Sequence, residues 1–138
     1  MSAATVENLR DTLYNGVLAN INPNYPFIKI TDAYSERLAD DYRNEKGVSV
    51  WLSRTSIRVP QRQVRGAVYM TIGFTICIET NKQVPDAPAY NDVLDNVISA
   101  VLKIPKDPMG QYWLIYKSEE ITESPGNGLL TVLFPYQQ

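Results

Sequence analysis

Between residues 64 and 79 the chain alternates with a two-residue period. Val64, Val68, Met70, Ile72, Phe74, Ile76 and Ile78 hold even positions, and Arg65, Tyr69, Thr71, Thr75 and Glu79 stand among the odd ones. Successive side chains of a β-strand point to opposite faces, so this pattern specifies a long strand with one buried and one more polar face. A second alternating stretch, residues 48–59, precedes it. There Val48, Val50 and Leu52 alternate with Ser49 and Ser53, and further out Ile57 and Val59 take the opposite phase. A strand that changes its apolar face carries a bulge or leaves the core to meet something else. The two stretches are expected to form an antiparallel hairpin that turns near residues 60–63.

The remaining elements follow from other periods. Val6, Leu9, Leu13, Val17 and Ile21 recur at spacings of three and four, which predicts a helix over residues 5–21 with these side chains on one face. Thr5 is placed to cap it, and the Asn-Pro-Asn-Tyr-Pro run from Asn22 ends it. Residues 27–31 read as a short strand. Residues 32–47 are polar and irregular, with Tyr34, Leu38 and Tyr42 four apart, and read as a helical turn or a mobile loop. A second helix is predicted over residues 88–103, with Pro88 at its first position and Tyr90, Leu94, Val97, Val101 and Ile104 on one face. Residues 112–122 and 129–136 are the last two strands, joined by the turn-rich Glu-Ser-Pro-Gly-Asn-Gly loop. The expectation is a single α+β domain over residues 1–138: a mainly antiparallel sheet with a long hairpin and two helices packed on one face.

Composition removes several kinds of chemistry. The chain has no histidine, hence no histidine-based triad and no Cys–His zinc site. Cys77 is the only cysteine, so no internal disulfide can form. It lies within the alternating strand, with no cationic neighbour to activate it. No phosphate-binding glycine loop followed by Lys-Ser or Lys-Thr occurs, and no nucleophile elbow. Asp40 and Asp41 form a carboxylate pair, but no further oxygen ligands are spaced as in a known metal loop. No catalytic, cofactor-binding or metal-binding residue is assigned. The net charge of -2 argues for neither nucleic acid nor membrane, and no apolar run reaches the roughly 20 residues of a membrane span. The polar, acid-containing N-terminus is unlike a secretory signal.

What remains is the tip of the hairpin. Arg54, Arg58, Arg62 and Arg65 gather around Pro60 and Gln61, beside Ile57 and Val59. In a regular strand Arg54 and Arg58 share a face. The bland reading is a solvated arm whose charges prevent edge-to-edge aggregation. The alternative is a basic arm that meets an acidic partner or a phosphate backbone. A free two-stranded hairpin is marginal in water, so the outer half is expected to be supported from outside the domain, most simply by a second copy of the chain. Arg54, Arg58, Arg62, Arg65, Ile57 and Val59 are therefore the candidate interface.

Helix VENLRDTLYNGVLANI is followed by PFIKI, by the paired strands VSVWLSRTSIRV and AVYMTIGFTICIET, by helix AYNDVLDNVISAVLKI and by the strands YWLIYKSEEIT and LLTVLFPY. In length and element order the chain resembles the small tail-terminator (tail-completion) proteins of long-tailed bacteriophages. The resemblance is topological and rests on no signature residue. It implies one subunit of a ring, typically a hexamer, that caps the tail tube, ends its growth and presents a surface to the head connector. The implied partners are copies of the chain, the tail tube protein and the head–tail connector protein. The implied location is the virion, at the head–tail junction, after synthesis in the host cytoplasm, with no cofactor and no catalysis. Two other readings stay open: another neck, head–tail joining or tail protein, and a small ligand-binding or enzymatic α+β domain. It also stays open whether the basic arm grips a neighbour or touches DNA passing through the lumen.

Overall fold

The computed structural model describes residues 3–64, 67–108 and 110–137; at 3–5, 59–64, 67–70 and 136–137 it describes the backbone only. Helix α1 (Ala3–Asn20) leads into strand β1 (Phe27–Lys29), helix α2 (Ala33–Lys46) and strands β2 (Val48–Val64) and β3 (Ala67–Thr80). Helix α3 (Tyr90–Leu102) and strands β4 (Leu114–Glu120) and β5 (Asn127–Gln137) complete the chain. The strands form one five-stranded mixed sheet in the order β1-β2-β3-β5-β4. β1 runs parallel to β2, and the other neighbours pair antiparallel. The protein is an α+β fold.

The even positions of the long alternating stretch line the main core. Ile72, Phe74, Ile76 and Ile78 are fully buried, beside Val50 and Leu52 of β2 and Leu130 and Val132 of β5. Helix α1 lays Val6, Leu13 and Val17 on this face, and α3 lays Val93, Val97, Ala100 and Val101. Leu9 and Leu94, expected within this core, sit partly buried at its rim, and the side chain of Met70 lies outside the described residues. Each fully buried Val, Leu or Ile removes enough apolar surface from water to contribute about 1.5–3 kcal/mol. The two helices are also tied by polar contacts. Asn20 Nδ2 donates to the carbonyl of Ala100, and the Asn22 amide donates to Asn96 Oδ1.

Several expected boundaries move. Thr5 lies inside α1, not at its cap, because the helix begins at Ala3. Pro88 precedes the N-cap Ala89 and is not the first residue of α3. The largest difference is α2, a 14-residue helix where a turn or mobile loop was the expectation. Its ends explain it. Asp32 accepts from the Ser35 amide while Ser35 Oγ accepts from the Asp32 amide, a reciprocal box that satisfies two free donors. Gly47 closes the helix at φ 77°, a left-handed conformation that disfavours any side chain. Helix α2 packs on the face opposite α1 and α3, where Ile28, Ile30 and Ala39 form a second cluster with Leu38, Tyr42 and Trp51. Two helices cover one face, as expected, and a third covers part of the other.

The hairpin also differs from expectation. Pro60 does not form its turn; Pro60 pairs with Met70 inside the ladder, and the strands meet at Val64 and Ala67. The pairing slips between Leu52 and Ser56 and again between Pro60 and Gln63, so β2 is longer than its partner requires. The outer half is not a free two-stranded arm either. β5 accompanies β3 out to the pair Tyr69–Gln137, and Trp113 packs against Phe74 and Phe134 at ring distances of 5.9 and 4.9 Å. Support thus comes from within the domain, because the last strand is long enough to line β3 from Tyr69 to Glu79.

One buried cation joins these parts. Arg10 of α1 is only 4% exposed. Its Nε donates to the carbonyl of Ser53 at 2.9 Å, and its Nη2 donates to the carbonyl of Ile30. Ser53 opens the irregular stretch of β2, and Ile30 follows β1, so neither carbonyl has a full strand partner. Arg10→Met keeps the aliphatic body and removes both donors. It is expected to cost about 1–3 kcal/mol in urea unfolding, the range for leaving buried acceptors unmet. Arg10→Lys should recover only part of the loss, since an ammonium lacks the planar fork that reaches two acceptors. Unchanged stability of both variants would show that water satisfies these carbonyls.

Candidate functional site

The structure separates the residues of the expected interface. Arg54 lies within the slip between Leu52 and Ser56, and its guanidinium turns toward α2. Nη2 stands 3.6 Å from Glu36 Oε1, with both side chains more than half exposed, and Nη1 donates to the Thr31 carbonyl at 3.5 Å. Arg58 is exposed and sits opposite Ile72, which places it on the side of the sheet that carries α1 and α3. Arg54 and Arg58 therefore do not share a side, because the extra residues between Leu52 and Ser56 break the regular strand that the spacing argument assumed. Arg62 lies in β2 at the second slip, with its side chain outside the described residues, and Arg65 lies outside them altogether.

Ile57 and Val59 pair with Gly73 and Thr71, on the α2 side of the sheet. Their phase does oppose that of Val50 and Leu52, and β2 is irregular between the two sets. Ile57 is 46% exposed, and the side chain of Val59 lies outside the described residues. Gly73 allows a close approach here: a Cβ at that position would sit 2.8 Å from Leu133 Cδ2 and 3.7 Å from Ile57 Cβ. Helix α2 stops short of this half of the sheet. Ile57, Leu133 and Leu114 form an apolar strip along it, with Leu114 itself 40% exposed.

The sheet has two long open edges. β1 accompanies β2 only to Leu52, so among the described residues the outer half of β2 has no second neighbour. At the far side β4 pairs, among the described residues, only with β5, and every residue of β4 except Ile115 is exposed. The edges differ in charge. No Asp or Glu occurs from Arg54 to Ile78, whereas four Arg do, so with -2 overall the rest of the chain carries -6. β4 and the turn after it carry Glu119, Glu120 and Glu123 against the one cation Lys117. The sequence held both signals, yet which strands stand at the edges was not readable from it.

Other concavities are less organised. A broad groove of about 510 Å³ lies between α1, β1 and α2, lined among others by Tyr14, Lys29, Tyr34 and Tyr42. Its one cation is engaged: Lys29 Nζ reaches Asp11 Oδ1 at 2.6 Å and lies 5.5 Å from the Tyr14 ring centre. A smaller recess holds Glu36, Asp40, Glu79 and Trp51, where Trp51 Nε1 donates to Glu79 Oε1 at 3.0 Å and Arg43 Nε stands 3.6 Å from the other oxygen. Asp40 and Asp41 are exposed on α2, and among the described residues no three Cys, Asp or Glu side chains come together as a metal site would require. No described helix is long and apolar enough to cross a membrane. The chain matches no model of a known protein family, and no curated protein matches it closely.

Cys77 is buried on the α2 side of the sheet, opposite Trp51. Burial, helped by the charge of Glu79, pushes its thiol up to about 12. The neutral thiol is the form the fold accepts, so this group's contribution to stability is complete below the ordinary value of 9.0 and is lost as pH rises toward about 12. Two outcomes are expected. The native protein should resist a thiol-reactive dye at pH 8 and react once unfolded. Between pH 9 and 11 the wild type should lose stability relative to Cys77→Ala. Parallel pH curves for the two proteins would show that the thiol is better hydrated than its burial implies.

Proposed function

We propose that this chain is a structural assembly protein, a ring-forming subunit of tail-terminator type. In this reading it caps a tail tube, ends its elongation and offers a surface to a head connector. The observation that carries the reading is the open outer half of β2, basic and free of acid, on a body of opposite charge. Such a surface suits repeated contact between copies, because each subunit presents both signs. The fold is compatible with it: a largely antiparallel sheet built on a long hairpin, with α1 and α3 together on one face, in the element order on which the resemblance rests. Partners in this reading are further copies, the tube protein and the connector, with placement in the virion. It assigns no catalysis and no cofactor.

The test is the state of the purified full-length chain. Negative-stain images and native mass spectra are expected to show closed rings, with a mass that is a small multiple of the 15.6 kDa protomer. Assembly should weaken as salt is raised from about 0.05 to 0.5 M, because partly exposed charges are screened over the Debye length. A strictly monomeric protein at tens of micromolar, at low salt and in the presence of tail tubes, would overturn the reading. Monomers that bind a small molecule in the groove beside Tyr14 and Tyr34 would move the chain to the ligand-binding alternative.

A further inference from the structure

We infer that the open outer half of β2 in one copy pairs antiparallel with the open edge of β4 in the next, so that the sheet continues from subunit to subunit. The inference deepens the reading as a self-assembling subunit and rests on it. Three observations point to this pairing rather than another.

The first is that both edges are vacant among the described residues and of comparable length. β4 offers seven residues, and β2 runs on from Ser53 to Val64 after its last pair with β1. An extended strand with one side unpaired carries backbone donors and acceptors that another strand can satisfy. The second is direction. β2 and β3 run oppositely, as do β3 and β5 and then β5 and β4, so β4 runs against β2. Copies that face the same way therefore bring β4 antiparallel to the neighbour's β2. The third is charge. The acid-free β2 edge meets Glu119 and Glu120, and the register that sets Arg58 opposite Glu120 joins two residues on the same side of the sheet, because Arg58 pairs with Ile72 and Glu120 pairs with Gly128, which pairs with Ile78. The same register sets Lys117 opposite Gln61, where no cation confronts it. Pairing β2 with β2 would confront arginine with arginine, which disfavours the two-fold alternative.

The contact also extends the apolar strip. Ile57 lies at one edge of the α2 side and Leu114 near the other, so adjoining copies carry exposed apolar side chains toward one seam.

Cysteine pairing tests this directly in the full-length protein, because Cys77 is buried and contributes no background. Arg58→Cys and Glu120→Cys are purified separately, mixed under assembly conditions and oxidised. Ile57→Cys with Ile121→Cys forms a second pair, as the antiparallel register requires. A disulfide forms only when the Cα atoms come within about 7 Å. The expected result is a linked dimer in each mixture, absent from each variant alone, with the mixed peptide confirmed by mass spectrometry. Charge exchange supplies a second measurement. Arg58→Glu should raise the concentration for half-assembly about tenfold, and adding Glu120→Arg should restore it to within about threefold. Rings without mixed disulfides and without charge rescue would overturn this pairing while leaving the assembly reading intact. Dimers of Arg58→Cys alone would show a two-fold contact in its place. Absence of any wild-type oligomer would remove both the pairing and the reading it rests on.

Discussion

The guanidinium of Arg10 sits where three parts of the fold meet. It comes from α1, it satisfies the carbonyl after β1, and it satisfies the carbonyl at which β2 turns irregular. A buried cation is expensive unless its donors are met, so its presence fixes the geometry around it. Its nearest carboxylate, Glu7 Oε2, stands 3.9 Å away and is largely exposed, which makes the two carbonyls the defining partners. Inward of Arg10 the sheet has β1 as its fifth strand and α2 over it. Outward of Arg10, β2 becomes an edge. The boundary between a closed sheet and an open one is set there.

That boundary explains the pattern of legibility. The alternation from Ile72 to Ile78 and the helical stripes of Leu13, Val17, Val97 and Val101 were readable because burial on one side imposes a period. The phase change at Ile57 was readable as a change of parity, although Ile57 is exposed and not part of a buried face. Helix α2 was not, because its apolar side chains are few and its order comes from its ends. Asp32, Ser35 and Gly47 supply a complete set of terminal bonds, a signal that lay in the sequence at the right spacing. Arg10 was invisible for a different reason. It stands within the apolar stripe, four residues after Val6 and three before Leu13, and only the tertiary arrangement brings two unmet carbonyls to it.

The hairpin shows where local reasoning fails. Pro60 reads as a turn residue, yet it is a ladder residue, which proline tolerates where its missing donor would face an open edge. The same openness explains why β2 accepts two slips in register. A strand flanked on both sides must keep step with two partners, whereas an edge strand keeps step with one. The arginines then have a local role that holds in the lone chain. Charge, proline and irregular pairing on an exposed strand all discourage indiscriminate addition of other strands.

That protective role and a role in assembly do not compete. A guarded edge excludes partners that lack the matching feature, and specificity consists of that exclusion together with one permitted contact. Four arginines without an intervening acid repel a copy of themselves and most neutral strands. They admit a strand that brings carboxylates, and β4 does so at the opposite side of the same subunit. A contact between two different patches is head-to-tail, and such contacts give a ring if the rotation between neighbours closes and a filament if it does not. Adjacent strands in a sheet are rotated by roughly 20–25°, so a sheet continued across subunits curves instead of extending flat. The twist that the ladder already has within the chain is therefore the property that sets whether a chain of such contacts returns to its start.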